Sequence, residues 1–587
     1  MSYFKNIIYK RILITLAILI FSAQLVQSQF IIKNADDRNW YLNLPQEKVY
    51  LHFNNKVFFA GEQLLYQIYC LNVKTNTFSE NSKMAYVELV GVDGNILRHK
   101  IRLEKGVGAS EFMIPTTLQT GNYKLIAYTK WMKNVNDNNF FQADISIINP
   151  YAKVNFDDSG LNELSREDAT QKFEILKLET NKEIYNTREE VIINITSLKT
   201  TMAYGIYSIS VSKINEAQNF GNRETTKTFA LNTNQIAKNR TRSIGEAFIL
   251  PEFKGEMITG KIYDASGKPA NNVEVALSIL SDEAFQDIVL TNELGVFYFQ
   301  LQHPYSTPRA MVQVVGDDRE SYRVEVDEHS GMDYSKLEFD DLKIHSKYKD
   351  AIVQRSVYNQ IQSAYSDRWQ HELVLPDYEK PFYGNNQQTF VLDDYKRFST
   401  VAETLIEVVE NAWHERKAGG KRYINVRERE QDPYYGEDVL PMLVVDGALV
   451  QDHDLVMNFD ANKVESISVL RDEYYYGDRV YQGVLYVKTF DNDFQTEQNG
   501  EFLKMVELFA PQYDVNYYEH RYTNEADLDR IPDYRNQLLW TPKFQFQTYQ
   551  EELKFYTSDS KGVFRISLEG FTNNGMPITI TKFIRVQ

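Results

Sequence analysis

Apolar and polar residues alternate along much of the chain, and this alternation predicts β-strands. The clearest case lies between residues 441 and 490. An apolar run, Met442–Val445, leads into the turn pair Asp446-Gly447, and two alternating runs follow at Val464–Leu470 and Gly483–Lys488. Tyr474-Tyr475-Tyr476-Gly477 lies between these runs and supplies aromatic side chains and a turn glycine. The pattern predicts a small α+β domain.

Similar alternation on both sides of this segment predicts several β-sandwiches. Strands are expected at Lys48–Phe53, Gln63–Leu71, Met84–Val90, Ile96–Leu103 and Tyr123–Tyr128 in the first of them. Helical spacing is confined to residues 348–365 and 400–413. The predicted fold class is therefore mainly β, with several β-sandwich (immunoglobulin-like) domains and one small α+β domain.

The pattern divides the chain into seven segments. They are a signal peptide (1–28), a first sandwich (31–150), a second sandwich (170–250), a third sandwich (255–328), a helical linker region (331–389), the α+β domain (390–492) and a C-terminal β-sandwich element (500–587).

The α+β domain resembles the plug domain of TonB-dependent outer-membrane receptors. The resemblance rests on the order of its pieces: the Val-Val-Asp-Gly strand end, the Val464–Leu470 strand, the tyrosine-glycine turn and the Gly483–Lys488 strand. Receptor barrels use around 22 strands of roughly 9–11 residues each. Only 97 residues follow Phe490, so we expect any barrel to be supplied by another chain.

Two further resemblances concern the sandwiches. Glu47–Phe53, Ala60-Gly61-Glu62 and Thr120–Leu125 are similar to a domain of the alpha-2-macroglobulin family, and the C-terminal element is also macroglobulin-like. Glu256–Gln300 resembles the non-catalytic carboxypeptidase regulatory-like domain. The combination resembles exported proteins of Bacteroidetes-type bacteria.

The net charge and the N-terminal sequence limit the possible partners and the cellular location. The formal net charge of −17 disfavours nucleic acid as a partner, since a phosphate backbone attracts a basic surface. Lys5, Lys10 and Arg11 precede the apolar run Ile12–Phe21, and Val26-Gln27-Ser28 forms a cleavage site, which predicts a secretory signal. The alternative is an uncleaved membrane anchor, which is disfavoured because the apolar run is shorter than the roughly 20 residues of a membrane span. No second apolar stretch approaches that length, so no span is expected after signal cleavage. We therefore expect export to the periplasm, in association with the outer membrane or at the cell surface.

No motif in the sequence points to catalysis. The single cysteine, Cys70, lies in an apolar strand pattern and lacks the Cys-Gly-Glu-Gln thioester motif of alpha-2-macroglobulins. His414-Glu415 lacks the second histidine of a zinc-protease helix, and no Gly-x-Ser-x-Gly elbow is present. Acidic pairs such as Asp317-Asp318 lack the ligand spacing of a calcium loop. We predict no enzyme activity, no cofactor and no metal site.

Partner binding is the function that the sequence favours. Three consecutive tyrosines cannot all face one core, so we expect Tyr474, Tyr475 and Tyr476 to form an interface together with the turn residues Asp446 and Gly447. The primary hypothesis is a non-enzymatic envelope binding or assembly protein that docks on an outer-membrane β-barrel. The alternatives are a macroglobulin-type defence protein that engages proteases without a thioester, and a secreted adhesive protein. No oligomeric state is predicted.

Overall fold

The computed structural model describes most of the chain from Phe30 to Gln587. The residues left out of the description are 1–29, 136–139, 153, 157, 159–174, 199–203, 215–224, 232–241, 282–284, 303–304, 306, 328–331, 369, 376–383, 385, 418–419, 430–438, 477–478, 493, 495–498 and 523–530. The predicted signal peptide lies outside the described residues.

The described residues form thirty-six strands and five α-helices, labelled here in chain order. From residue 30 to 248 they are β1 (Phe30–Ile31), α1 (Ala35–Asn43), β2 (Glu47–Phe53), β3 (Val57–Phe59), β4 (Gln63–Asn72), β5 (Met84–Gly91), β6 (Gly94–Arg102), β7 (Val107–Met113), β8 (Gly121–Tyr128), β9 (Phe141–Ile148), β10 (Leu176–Thr180), β11 (Ile184–Tyr185), β12 (Glu190–Ser197), β13 (Gly205–Lys213), α2 (Thr226–Leu231) and β14 (Ala247–Phe248). From residue 256 to 426 they are β15 (Glu256–Asp264), β16 (Glu274–Ile279), β17 (Phe285–Leu290), β18 (Val296–Leu301), β19 (Arg309–Val314), β20 (Tyr322–Val326), α3 (Lys349–Ala364), β21 (Glu372–Val374), β22 (Gln388–Val391), α4 (Val401–Glu407), β23 (Ala412–Arg416) and β24 (Arg422–Val426). The remainder are β25 (Met442–Val445), β26 (Ala448–Val450), α5 (His453–Asn458), β27 (Val464–Leu470), β28 (Tyr474–Tyr476), β29 (Arg479–Tyr481), β30 (Val484–Thr489), β31 (Leu503–Glu507), β32 (Asp514–Asn516), β33 (Gln537–Phe544), β34 (Gln550–Tyr556), β35 (Gly562–Thr572) and β36 (Pro577–Val586). The predicted fold class, mainly β with sandwiches and a small α+β domain, is confirmed.

The chain divides into two compact units, each built from separated segments. The insert unit comprises Glu256–Gly331 and Asp377–Ala510 among the described parts of the chain. The flanking unit comprises Phe30–Gly255, Met332–Pro376 and Pro511–Gln587.

The flanking unit contains two β-sandwiches. The first packs sheet β2-β4-β7 on sheet β3-β9-β8-β5-β6, and its core includes Leu64, Ile68, Val87 and Leu125. The second packs sheet β10-β12-β34 on sheet β11-β36-β35-β13-β33. The alternation of apolar residues supplies the inner face of each strand.

The second sandwich combines strands from two segments that were predicted to be different domains, 170–250 and 500–587. Strand β13 from the 170–250 segment pairs on one side with β33 and on the other with β35, both from the 500–587 segment. Strand β12 pairs with β34 over seven residue pairs, from Glu190↔Tyr556 to Thr196↔Gln550. One core with residues from both segments, such as Ile193, Val211, Phe564 and Leu568, holds the two sheets together.

The insert unit contains the third sandwich and the α+β domain. The sandwich packs sheet β18-β15-β20 on sheet β17-β16-β19-β31, and its fourth strand, β31, comes from the segment predicted as C-terminal. The α+β domain is built on the five-stranded sheet β22-β27-β30-β25-β26. Strand β25 pairs parallel to β30, and the other neighbours are antiparallel.

Helix α4 is shorter than the 400–413 pattern predicts. It begins after Thr400, whose side chain accepts a hydrogen bond from Glu403 N at 3.2 Å. It ends at Glu407, and the chain then turns at Asn411, which has a φ of 66°. Residues from Ala412 onwards form strand β23, which pairs with β24. The helix of the linker region agrees more closely, since α3 spans Lys349–Ala364. No helix among the described residues is both long and apolar enough to cross a membrane.

Candidate functional site

The turn Asp446-Gly447 joins β25 to β26 with both residues in the left-handed region. Their φ angles are 50° and 81°, which suits an Asp-Gly pair in a two-residue hairpin. The Asp446 side chain is 2% exposed. Its carboxylate accepts hydrogen bonds from Thr489 N and Thr489 Oγ1, both at 2.7 Å, and from Phe494 N at 3.3 Å. The carboxylate therefore ties the turn to the end of β30 and the segment after it.

Gly447 packs against the end of β16 in the third sandwich. A Cβ atom at this position would lie 2.6 Å from Ile279 O and 2.9 Å from Ser281 N. The Gly447 carbonyl accepts a hydrogen bond from the Gln286 side chain. Asp446 and Gly447 were predicted as interface residues. In the structure they make contacts within the insert unit.

Both faces of the central sheet are covered within the insert unit. Leu443, Val445, Ile467 and other alternate residues face helices α4 and α5. The residues between them face the third sandwich and pack on its strands; they are Met442, Val444, Leu449, Leu470, Val484 and Tyr486, in contact with Ala276, Val315 and Ile288. The alternating strand pattern therefore serves two cores, one on each side of the sheet.

Hydrogen bonds fix the register between the sheet and the sandwich. Gln313 Nε2 donates to Leu449 O at 2.8 Å, and Leu449 N donates to Ser278 Oγ at 3.2 Å. Gln451 Nε2 donates to Val314 O at 2.9 Å. Since Gln313 and Ser278 are fully buried, these bonds satisfy polar groups that would otherwise be costly to bury.

The tyrosine segment forms one strand of a separate two-stranded hairpin, β28–β29. Tyr474 pairs with Tyr481, and Tyr476 pairs through its backbone with Arg479. The Tyr474 and Tyr481 rings pack against the sheet–sandwich contact, and burial raises the pKa of Tyr474 to about 12. Tyr475 is 59% exposed, and its hydroxyl donates to Glu473 Oε2 at 2.8 Å. Among the predicted interface residues whose side chains are described, Tyr475 is the most exposed.

A buried polar cluster in the flanking unit was not found from the sequence. Tyr50 and His52, on the polar side of β2, face β13 and β35 of the second sandwich. The Tyr50 hydroxyl donates to the Glu569 carboxylate, His52 Nδ1 lies 2.5 Å from Ser208 Oγ, and His52 Nε2 lies 3.6 Å from Glu569 Oε1. His52 and Ser208 are fully buried, so this Ser-His-Glu arrangement has no solvent access and contributes to packing.

The flanking unit also contains a cleft of about 1620 Å³. Its walls come from β7, α3, the segment around β21 and β32, and the strands β33 and β34. Several polar side chains, among them Arg355, His371 and Tyr517, line it. His371 Nδ1 lies 2.9 Å from Glu111 Oε2, and burial lowers the pKa of the nearby His520 to about 3. No group of three or more potential metal-ligating side chains is found among the described residues.

Comparison with known proteins gives only distant similarities. No protein-family model matches the chain, and no curated protein matches it. Among solved structures, Salmonella alpha-2-macroglobulin reacted with methylamine aligns over 96% of this chain and 40% of its own length, with 10% identity and a TM-score of 0.23. Trypsin-activated alpha-2-macroglobulin from Escherichia coli aligns over 96% of this chain and 42% of its own, with 9% identity and a TM-score of 0.22. The Escherichia coli adhesin FdeC aligns over 30% of this chain and 48% of its own, with 10% identity and a TM-score of 0.13.

These matches assign no family. The chain spans about 40% of the macroglobulin structures that it matches. A TM-score this far below 0.5 carries no argument about function.

Proposed function

We propose that the chain is an exported, non-enzymatic binding protein whose α+β domain docks on an outer-membrane β-barrel supplied by another polypeptide. The observation that carries the proposal is the exposure of Tyr475 on strand β28 of the β28–β29 hairpin. Tyr475 is 59% exposed, whereas the preceding residue on the same strand, Tyr474, packs inward. Tyrosine combines a large rigid contact area with a polar tip, and it is enriched among the residues that dominate binding energy. The plug-domain resemblance of the sequence supplies the barrel as the class of partner.

The mode of docking follows from the covered sheet. Both faces of the sheet already serve cores within the insert unit. Surface docking through the hairpin requires no opening of either core, whereas deep insertion of the bare α+β domain into a pore would expose Met442, Val444 and their neighbours. We therefore expect the hairpin to contact the barrel while the third sandwich stays attached.

The experiment is affinity purification of the tagged mature chain from detergent-solubilised envelope, followed by mass spectrometry. A barrel recovered in stoichiometric amount is then purified and bound again to the chain in detergent. Tyr475→Ala should weaken this binding by about tenfold or more, as expected for an exposed aromatic anchor. Tyr549→Ala, a change of the same type at a side chain 64% exposed in the flanking unit, is the matched control and should leave binding intact.

Three results would refute the proposal. The first is recovery of the chain alone, and the second is equal binding by wild type and Tyr475→Ala. The third is recovery of a protease in place of a barrel, which would favour the protease-engaging alternative.

A further inference from the structure

The cleft of the flanking unit runs along the edge of the second sandwich. Strands β33 and β34 are the last strands of its two sheets on that side. Every residue from Glu552 to Tyr556 lines the cleft. Consecutive strand residues point to opposite faces of a sheet, so a cavity bordered by all of them follows the edge of β34 and not one of its faces.

The outer edge of β34 has backbone N–H and C=O groups that lack partners among the described residues. Ser197 N donates to Tyr549 O at 2.7 Å, and Thr557 N donates to Glu189 O at 3.0 Å. In an antiparallel pair every second residue bonds to the partner strand. These two bonds therefore show that the odd-numbered residues of β34 bond to β12. The intervening residues Glu552, Lys554 and Tyr556 direct their N–H and C=O groups away from β12. No hydrogen bond from these groups to another described residue is present.

Strand β33, the neighbouring edge, is closed to a further strand. Pro542 has no backbone N–H, and Lys543 has a φ of 53°, which interrupts a regular strand. Lys543 N is already bonded to the Gln67 side chain at 2.5 Å. An added strand therefore finds its place beside β34.

Two residues that line the cleft each carry a buried polar atom without a partner among the described residues. They are Gln362, through the donor Nε2, and Gln537, through the acceptor Oε1. Buried polar groups are nearly always hydrogen-bonded in folded proteins, and a polypeptide that shifts either side chain on binding offers both a donor and an acceptor.

The charges in the cleft are balanced in pairs. Arg355 Nη2 lies 2.6 Å from Glu62 Oε2, Lys543 Nζ lies 2.7 Å from Asp514 Oδ2, and Lys554 Nζ lies 3.1 Å from Glu552 Oε1. This balance gives no excess of positive charge for a phosphate or another anion. An uncharged chain of alternating donors and acceptors, the polypeptide backbone, matches the edge.

Among the aromatic side chains that line the cleft, Tyr518 is 41% exposed, whereas Tyr534 and Trp540 offer little free ring face to a sugar. Tyr534 stacks on Tyr358 with their ring centroids 4.0 Å apart, and Trp540 is buried. The observations therefore favour a peptide over an oligosaccharide.

We propose that this cleft binds an extended polypeptide segment, which adds as a fourth strand to sheet β10-β12-β34 along the edge of β34. Main-chain hydrogen bonds to Glu552, Lys554 and Tyr556 supply the affinity, as in other cases of strand addition. Gln362 and Gln537, each with one buried polar atom that lacks a partner among the described residues, lie along the same cleft. This inference concerns the flanking unit and is independent of the barrel docking proposed for the insert unit.

The test begins with the full mature chain and an array of overlapping 12-residue peptides that tile casein, an unstructured polypeptide. The strongest peptide is labelled with fluorescein and its dissociation constant is measured by anisotropy. Lys554→Pro removes an outward-pointing N–H without touching the ladder to β12, and it should weaken binding by about tenfold or more. Glu552→Pro tests the same edge at a second position.

The matched control is Thr180→Pro. Thr180 is on β10, the opposite edge of the same sheet, and its N–H also points away from β12. This variant should bind the peptide as wild type does. Circular dichroism of all three variants separates a local effect from a loss of fold.

The peptide itself provides a further readout. Methylation of every second backbone nitrogen in one register should abolish binding, whereas methylation in the other register should leave it, because only alternate amides of an added strand face β34. Hydrogen exchange at Glu552, Lys554 and Tyr556 should slow when peptide is bound. The proposal is overturned if no peptide binds, if both proline variants bind normally, if the two methylation registers are equivalent, or if maltoheptaose binds in place of peptide.

Discussion

Replacing Gly447 by alanine tests whether the α+β domain and the third sandwich unfold as one structure. The new Cβ would lie 2.6 Å from Ile279 O and 3.0 Å from Ser281 O. Both are backbone atoms, so relief of the contact requires the turn to move away from β16. That movement would also strain the hydrogen bond from Gln286 to the Gly447 carbonyl.

The destabilisation caused by the steric contact can be separated from the destabilisation caused by placing alanine in a left-handed backbone conformation. An alanine in the left-handed region lowers the free energy of unfolding by roughly 1–2 kcal/mol. About 0.4–1 kcal/mol of this is offset, because alanine also reduces the conformational freedom of the unfolded chain. Gly267 has a φ of 79°, and a Cβ at this position would have no atom within 4 Å, so Gly267→Ala incurs this backbone cost alone. Overpacking against backbone adds about 1–3 kcal/mol. We therefore expect Gly447→Ala to cost about 2 kcal/mol more than Gly267→Ala.

The assay is hydrogen exchange of the chain, read by mass spectrometry. About 2 kcal/mol corresponds to roughly a thirtyfold rise in exchange. We expect this rise in Gly447→Ala at amides of both β25 and β16, on the two sides of the contact. Equal effects of the two alanine variants, or faster exchange confined to the α+β domain, would refute the reasoning.

Three further predictions concern buried ionisable groups. Glu569→Ala should destabilise the chain by about 3–5 kcal/mol in urea unfolding, whereas Tyr50→Phe should cost about 1 kcal/mol, because the first change leaves several buried polar groups unpaired; equal costs would contradict this. Burial raises the pKa of Asp287 to about 6, so the folded state holds this proton more tightly than the unfolded chain, and stability falls as pH rises from about 4 to 6. Asp287→Asn should therefore stabilise the chain by about 1–2 kcal/mol at pH 7.5 and leave it unchanged at pH 3.5, and a gain that is equal at both pH values would be inconsistent with this. Cys70 is fully buried and burial raises the pKa of its thiol, so a thiol reagent should label it about a thousandfold or more slowly in native buffer than in urea, and fast native labelling would show that this core opens.

Local pattern was sufficient to predict individual strands. The strands Met442–Val445 and Val464–Leu470 occur at the predicted residues, and α3 differs by one residue at each end from the predicted span 348–365. The Asp446-Gly447 turn also occurs, with both residues at positive φ. These features depend on interactions within a few residues, which the sequence encodes directly.

The assignment of strands to sheets depended on the tertiary structure. The alternation in Tyr207–Val211 predicts a strand but does not identify its neighbours, and β13 pairs with strands more than 300 residues later in the chain. For the same reason the boundary between the second sandwich and the C-terminal element does not separate two cores. A period of two specifies which residues face inward, and pairing is decided by complementary edges and cores from elsewhere in the chain.

Some features of the candidate site could likewise be predicted from the sequence, and others depended on the tertiary structure. The sequence by itself determined that three consecutive tyrosines could not share one core, and Tyr475 is exposed while Tyr474 is packed inward. Only the tertiary structure decided that Asp446 and Gly447 are enclosed, that the polar side of β2 with Tyr50 and His52 is buried, and that β34 borders a cleft. The polar residues of an alternating strand can face either water or a second domain, and the sequence pattern is the same in both cases. Which of the two occurs depends on what packs against the strand in the folded chain.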